Sequence, residues 1–340
     1  MDTFASLPAH EREPYFQEAA ARMGLPPHVI EKDFWVCWTL KRLFALETVA
    51  GHLLFKGGTS LSKVYGAIRR FSEGIDLSIH RRSPGFAGEN DPANLTGKPR
   101  QRQDEALGEA ARAKVQDDIR PELDAAIRNQ LGDDGWSLDL DDTDPERQSL
   151  AFTYPSTGLT PDPTAYLKPS VKIEFGARAE HKPHDWKKIR PYLAETLTDA
   201  LDEAEVEVKS ISIIRAFWEK DTILHQQAHC DLEKPFPSRY SRHYCDLAAM
   251  IEAGFGDDTA QDEKLLADVV AHKIAFYYAK WASYETALRG TLCLVPPEER
   301  HPEIAADLDS MREMFFDDPP SIEGVMEPLR AWEEGFNRVE

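Results

Sequence analysis

Cysteine is scarce. The 340-residue chain has four, Cys37, Cys230, Cys245 and Cys293, and no two of them fall in a CxxC spacing. That excludes a zinc knuckle and a disulfide framework, and it fits a reducing compartment. Long apolar runs are missing as well: no stretch reaches the ~20 apolar residues that span a bilayer. The opening MDTFASLPAHEREPYF has neither the basic start nor the apolar run of a signal peptide. The expectation is a soluble, cytoplasmic protein without membrane contact. No GxxxxGK[ST] loop occurs, which argues against P-loop kinase or NTPase chemistry. Positive charge is in deficit, with 40 Lys and Arg against 60 Asp and Glu, for a net charge of −20. Such a field repels polyanions, so any nucleic-acid contact must be local. Basic clusters exist at Lys98/Arg100/Arg102, Lys182/Lys187/Lys188/Arg190 and Arg239/Arg242. Each by itself reads as ordinary solvated charge. Internal repeats and low-complexity tracts are absent.

The chain has ample material for a core, since 41% of its residues are hydrophobic. Residues 10–46 read as two helices, the second opened by Pro26 and Pro27. HLLFK (52–56) is a short strand ending in Gly-Gly, TSLSKVYGAI (59–68) returns to helical spacing, and IDLSI (75–79) alternates as a strand. The Gly-, Pro- and Asn-rich stretch 81–100 predicts a mobile loop next to this turn. A helical run follows at 102–131. WSLDL, SLAFTY, SVKIEFGA and VEVKSISI supply four more strands, and the remainder from RAFWEKDTILHQQAHC onward is mostly helical. The fold expected is therefore α/β with a mixed sheet, divided into an α/β domain over 1–214 and a helical domain over 215–340.

The chemistry concentrates between 55 and 79. Two glycines at a strand end let the backbone approach a phosphate, because neither carries a Cβ. The helix that follows would offer free N–H groups and the Thr59 and Ser60 hydroxyls to an anion. Strand alternation puts residues 74 and 76 on one face and Glu73 on the other. Asp76 is a carboxylate in position to hold Mg²⁺, and position 74 holds glycine.

Several segments of the chain resemble the AbiEii-type nucleotidyltransferases, toxins of toxin–antitoxin and phage-defence operons within the polymerase-β-like superfamily. They are EKDFWVCWTL (31–40), LLFKGGTSLSKVYGAIRRFSEGIDLSI (53–79), VKIEFGAR (171–178), FWEKDTILHQQAH (217–229) and RYSRHYCDLAAMI (239–251). The likeness runs in order over about 25–255. It implies a polymerase-β-like nucleotidyltransferase core, with NMP moved from an NTP to an acceptor hydroxyl, in RNA and in particular a tRNA 3′ end, or else in a protein. By resemblance, Gly57, Gly58, Thr59 and Ser60 form the triphosphate-cradling turn, and Lys63 lies one helical turn on, within reach of a phosphate. Asp76 is one member of the metal-binding pair, and Glu174 is the third carboxylate, assisting the metal or accepting the proton of the attacking hydroxyl. Lys172 shares the face of Glu174. Glu219 and Lys220, with Arg242 and Asp246, match later motifs in which basic residues meet the nucleotide and acidic ones orient them. The same four read equally as helix-surface ion pairs. The resemblance also implies a two-ion Mg²⁺ site in the intact motif and a cognate antitoxin, commonly a winged-helix DNA-binding protein. His225 and His229, at i and i+4, lack the glutamate and third ligand of a zinc site. Phe34, Trp35 and Trp38 are expected in the core rather than as a nucleobase stack.

The family pattern has aspartate where this chain has Gly74. Losing one of two metal carboxylates should weaken Mg²⁺ binding and misplace the triphosphate, so transfer is expected to be severely impaired. Glu73 cannot substitute without a bulge that would turn it to the other face. Two origins stay open for Gly74: a natural variant, or an aspartate replaced deliberately or by selection against an active toxin. The alternative function is a non-catalytic module that binds a nucleotide or partner on the same fold.

Overall fold

Alternating strands such as IDLSI and VKIEF need a sheet with one dry face, and the chain builds one of seven strands. The computed structural model describes residues 1–72, 74–159, 168–316 and 318–338. Contacts divide it into two units, residues 1–64 with 71–210, and residues 65–70 with 211–340. The division expected at 214 was continuous in sequence, whereas the second unit also takes in 65–70.

The first unit opens with α1 (Asp2–Ala5), α2 (Ala9–Met23) and α3 (Pro27–Leu43). Strand β1 (Leu53–Lys56) leads into α4 (Gly57–Lys63), and β2 (Gly74–Ile79) follows. Next come α5 (Gly97–Ala113), a π-helical turn (Lys114–Ile119) and α6 (Arg120–Leu131). The unit then adds β3 (Ser137–Leu140), β4 (Ser149–Thr153), β5 (Ser170–Gly176), β6 (His184–Ile189), α7 (Tyr192–Thr196) and β7 (Val206–Ile211). The sheet order is β3-β4-β5-β2-β1-β7-β6. β2 runs antiparallel to β1 and parallel to β5, so the sheet is mixed.

One face of this sheet is apolar: Phe55, Ile75, Leu77, Ile173, Phe152 and Val208 are all fully buried in the core. α3 packs there. Its Trp38 stacks on Phe152 (ring centroids 5.7 Å apart) and Trp35 on Tyr154 (5.4 Å), and Phe34 is equally buried, so all three are core residues as expected. An aromatic side chain buried this way contributes on the order of 4 kcal/mol as an upper bound. Pro27 starts α3 because its fixed φ suits the first helical turn, where no N–H partner is needed. Glu31, Lys32 and Asp33 are buried charges on α3 that brace neighbouring segments. Glu31 accepts from the Thr157 N–H at 2.8 Å, and Lys32 donates to the Lys168 carbonyl at 3.2 Å.

Three expectations are corrected. α4 ends at Lys63 rather than running to residue 68: Gly66 has φ +60°, and Tyr65 turns away to donate its hydroxyl to the Ile211 carbonyl at 2.6 Å. The stretch 81–100 is pinned rather than mobile. Arg81 pairs with Asp91 at 3.0 Å and Glu180 at 3.1 Å, two 3₁₀ turns follow, and α5 begins at Gly97. This stretch also leaves from the end of β2 opposite Gly74 and Asp76. Strand β6 was not foreseen.

The second unit is helical: α8 (Ile213–Ala228), α9 (Ser241–Glu252), α10 (Phe255–Thr259), α11 (Glu263–Phe276), α12 (His301–Ser310) and α13 (Ile322–Asn337). α8 is capped by Ser212, whose Oγ accepts from the Arg215 N–H. Trp218 of α8 packs on Trp332 and Phe336 of α13, which stack at 5.1 Å. No helix among the described residues is long and apolar enough to cross a membrane.

Candidate active site

The polar face of the sheet is set by alternation. With Phe55, Ile75 and Ile173 turned into the core, Lys56, Gly74, Asp76, Lys172 and Glu174 turn to the other side. Register then decides who meets whom. Gly74 lies beside Lys172, Asp76 beside Glu174, and Lys56 beside Asp76 on the opposite flank. The two carboxylates that alternation placed on separate strands are nearest cross-strand neighbours.

Gly57 approaches this pair from the end of β1. Its φ is +77°, and a Cβ built on it would fall 2.0 Å from Oδ2 of Asp76. The aspartate therefore lies directly over the turn, in space that only glycine leaves open. Asp76 makes no hydrogen bond or ion pair among the described residues. Glu174 is held differently: its Oε1 accepts from the Lys172 ammonium at 2.9 Å, and Lys172 also reaches Asp141 Oδ2 at 3.3 Å. Partial burial alone would lower the Lys172 pKa. The bond to Glu174 and the charge of Asp141 outweigh it and hold the ammonium above the ordinary lysine range.

Gly74 has no positive φ, and a Cβ built on it would lie 3.4 Å from the Lys172 carbonyl and 4.0 Å from the Lys172 Cβ. Both are ordinary contacts. A Cβ at 74 thus fits without moving the strand, on the face that carries Asp76. Glu73 lies outside the described residues.

The turn's other side chains depart from expectation. The Thr59 hydroxyl donates within the turn, to the Ser72 carbonyl at 3.1 Å and to the Gly74 carbonyl, and the Ser60 hydroxyl donates to the Gly57 carbonyl at 3.1 Å. Both residues are buried, so their hydroxyl protons brace the turn instead of facing an anion. Gly58 is the second residue of α4. Lys63 is held differently from the expectation. Its ammonium sits 3.0 Å from Asp33 of α3 and 3.6 Å above the Tyr192 ring, with a 3% exposed side chain. Burial would lower its pKa, but the Asp33 carboxylate more than offsets this and keeps Lys63 charged.

In the second unit, Lys220 and Asp246 are buried rather than surface residues. Asp246 accepts from Lys220 at 2.7 Å and, through both oxygens, from Arg70 at 2.7 and 2.8 Å. Burial would raise its pKa; Arg70 and then Lys220 overcome that and hold it well below the carboxylate range. Glu219 pairs with Arg215 at 3.0 Å, and Arg242 lies half-buried on α9 without an ion pair among the described residues. Arg70 was not singled out in the sequence. Its signal was the double arginine of AIRRF ahead of β2, unreadable without knowing that 65–70 joins the helical unit. His225 is a structural residue: its Nδ1 accepts from the Cys293 N–H at 3.1 Å and its Nε2 lies 3.0 Å from the Ser283 carbonyl.

Whether these residues suit Mg²⁺ can be judged from the donors. Hard carboxylate oxygens are what Mg²⁺ takes, and it commonly uses one or two of them beside substrate phosphates and water. Asp76, unpartnered and beside Glu174, fits one ion. With glycine at 74 and Glu174 tied to Lys172 the set is short for two, and no group of three His, Cys, Asp or Glu side chains among the described residues is arranged to hold a metal.

Mixed sheet, Gly-Gly turn and paired carboxylates together define a nucleotidyltransferase fold. The sequence profile described as "Nucleotidyl transferase AbiEii toxin, Type IV TA system" matches residues 38–338, and the chain belongs to that family. The match begins later than the resemblance read at 25–255 and continues through the C-terminal helices. Among solved structures the chain is similar to MenT4, nucleotidyltransferase toxin Rv2826c from Mycobacterium tuberculosis H37Rv, with 14% identity, a TM-score of 0.49, and coverage of 96% of this chain and 90% of that one. No curated protein matches the chain. Family membership makes this a nucleotidyltransferase of a toxin–antitoxin class, whose members in general use an NTP and a divalent metal and have an antitoxin partner.

Proposed function

We propose that the site at the Gly57 turn transfers an NMP from an NTP to a hydroxyl of RNA, a tRNA 3′ end being the acceptor first in line, and that Gly74 severely impairs it. The observation that carries this reading is the register of Asp76 beside Glu174, with Gly57 directly beneath the aspartate. The acceptor oxygen attacks the α-phosphorus, the bond to pyrophosphate breaks, and the hydroxyl proton must leave. Glu174 is the group to receive that proton: Lys172 holds its Oε1, which leaves Oε2 as the accepting oxygen. A Mg²⁺ on Asp76 and Glu174 would supply charge neutralisation for the triphosphate and the departing pyrophosphate. Gly57 and Gly58 let the phosphates approach the backbone. Lys220, Arg242, Glu219 and Asp246 remain candidates for nucleotide contact through their motifs. The partner in the cell is an antitoxin of the winged-helix DNA-binding kind, the role defence against phage, and the compartment the cytoplasm.

A second reading, a nucleotide- or partner-binding module without catalysis, is favoured by Gly74 itself. One experiment separates the two. Labelled NMP transfer from each of the four NTPs with Mg²⁺ to total RNA is compared for this chain, Gly74→Asp, and Gly74→Asp with Asp76→Ala. Labelling of RNA by Gly74→Asp alone supports the transferase. No labelling by any of them, with nucleotide binding intact, supports the module.

A further inference from the structure

Glu174 carries two tasks in the proposed reaction, ligand of a divalent cation and acceptor of a proton, yet only one of its oxygens is free. Oε1 is taken by the Lys172 ammonium at 2.9 Å. An ammonium and a divalent cation cannot share one carboxylate oxygen, because like charges a few ångströms apart repel strongly outside bulk water. Lys172 must therefore have an anion to withdraw to, and strand pairing supplies it.

Asp141 stands directly after β3. Its N–H donates to the Ser149 carbonyl at 2.9 Å; Ser149 of β4 lies beside Glu174 of β5, which lies beside Asp76 of β2. One cross-strand row of the polar face thus runs Asp76, Glu174, Ser149, Asp141. Lys172 belongs to the next row, between Gly74 and Ala151. Glycine at 74 offers it no anion on that flank, and Ala151 on the other carries only a methyl group. The lysine stem leans over β4 far enough to bring Nζ within 3.3 Å of Asp141 Oδ2. One ammonium is therefore shared by two carboxylates. The shorter contact closes Glu174, and the longer one has room to shorten to the ordinary length of a charged pair.

Asp141 is prepared to receive it. Its Oδ1 accepts from the Thr143 N–H at 2.9 Å and the Thr143 hydroxyl at 2.6 Å, which fixes the carboxylate and leaves Oδ2 to the lysine. The hydroxyl bond outweighs partial burial and holds the Asp141 carboxyl below the ordinary range, so it stays an anion. Asp144 nearby is already spent: its oxygens accept from the Glu146 and Gln148 N–H groups and the Ser149 hydroxyl. Asp139 shares the face, beside Ala151, and makes no ion pair with Lys172 among the described residues.

We propose that Asp141 is a positioning residue for the transfer reaction, the station to which Lys172 withdraws when a divalent cation occupies Asp76 and Glu174. The withdrawal frees Oε1 of Glu174 for the cation and leaves Oε2 for the proton of the attacking hydroxyl. Without the cation, Lys172 stays on Glu174 and offsets its repulsion with Asp76. The proposal rests on the reading of Asp76 and Glu174 as the metal pair.

The test uses Mn²⁺ as a paramagnetic stand-in for Mg²⁺ and measures its binding to the full chain by electron paramagnetic resonance, the site being the binding lost in Asp76→Ala. Opposite signs are expected: Lys172→Met tightens this site by about tenfold or more, and Asp141→Asn, which strands the lysine on Glu174, weakens it by about threefold or more. In the Lys172→Met background Asp141→Asn should change it by no more than about twofold, because Asp141 acts only through the lysine. Asp139→Asn removes the same charge from the same face without touching Lys172, and it too should stay within about twofold. Should Lys172→Met lower the Tm, Lys172→Gln replaces it. Three results overturn the proposal and leave the metal pair standing: no gain on removing the lysine, a loss for Asp141→Asn that persists without the lysine, or an equal loss for Asp139→Asn. Mn²⁺ binding that is absent, or that ignores Asp76→Ala, removes the metal pair and the proposal with it.

Discussion

At the residue scale the site turns on two glycines with opposite demands. Gly57 cannot take a side chain: its φ of +77° disfavours any Cβ, and that Cβ would occupy the space of the Asp76 carboxylate. Gly57→Ala should therefore cost about 1–2 kcal/mol in backbone strain and displace Asp76 as well. In the Gly74→Asp background we expect transfer to fall at least about 100-fold, since about 2.7 kcal/mol of misplacement suffices. Steady-state kinetics beside a Tm measurement check this, the kinetic loss far exceeding the thermal one. Gly74 is the reverse case, with room for a Cβ. In Gly74→Asp three acids share the site, and they repel until a cation binds. Mg²⁺ far above its dissociation constant should raise the Tm of Gly74→Asp by about 5 °C or more, and that of the parent chain by clearly less. Equal shifts would show that position 74 does not face the metal. Gly57 was legible in the sequence from turn chemistry; for Gly74 strand alternation gave the face, and the family resemblance gave the missing aspartate. The inward hydroxyls of Thr59 and Ser60 were not legible, because their acceptors are backbone carbonyls whose positions depend on the fold.

Elements set the next limit on legibility. Strands β2 and β5 alternate cleanly because each has one dry face, and that pattern survives in the sequence. β6 was missed for the opposite reason: at the edge, Trp186, Lys187 and Lys188 are all solvent-exposed, and exposure on both faces erases the alternation. Lys63 shows a third kind of loss. Its place one helical turn beyond Thr59 and Ser60 was read correctly, but its partner, Asp33, comes from a helix thirty residues earlier. The ion pair joins α3 to α4, and Asp33 further accepts the Tyr192 N–H at 2.6 Å, tying in α7. Lys63→Met should then act on stability more than on nucleotide binding, leaving Asp33 buried without its cation at a cost of about 3–5 kcal/mol. Urea unfolding would register that loss. If the variant instead keeps its stability and loses NTP affinity, Lys63 is a phosphate ligand after all.

Across the whole molecule, buried ionisable groups set the pH range in which it stays folded. His181 is pushed down to about 2 by burial and then by neighbouring His80, Lys209 and Arg81; His225 is pushed down to about 4, chiefly by burial. Both stay neutral when folded and titrate near 6.5 when unfolded, so the unfolded chain binds more protons below that pH. Their contribution is complete above pH 6.5 and is lost as pH falls toward the folded values, by about 2 kcal/mol for each at pH 5. Asp221 works the other way. It is fully buried on α8, its two oxygens have no hydrogen-bond partner among the described residues, and burial, then the charge of Glu333, raises its pKa well above the ordinary range. The unfolded chain releases this proton near 3.8 while the folded one keeps it, so stability falls as pH rises from there toward the folded pKa. Urea unfolding at pH 5, 6.5 and 8 should therefore show a sharp loss on the acid side. It should also show a gain for Asp221→Asn that is largest at pH 8 and shrinks toward pH 5. The series calls for dilute protein, because net charge vanishes near the sequence pI of 5.0 and association would mimic unfolding. A gain for Asp221→Asn independent of pH would mean that Asp221 is not held protonated, and the helical unit would then owe nothing to its titration.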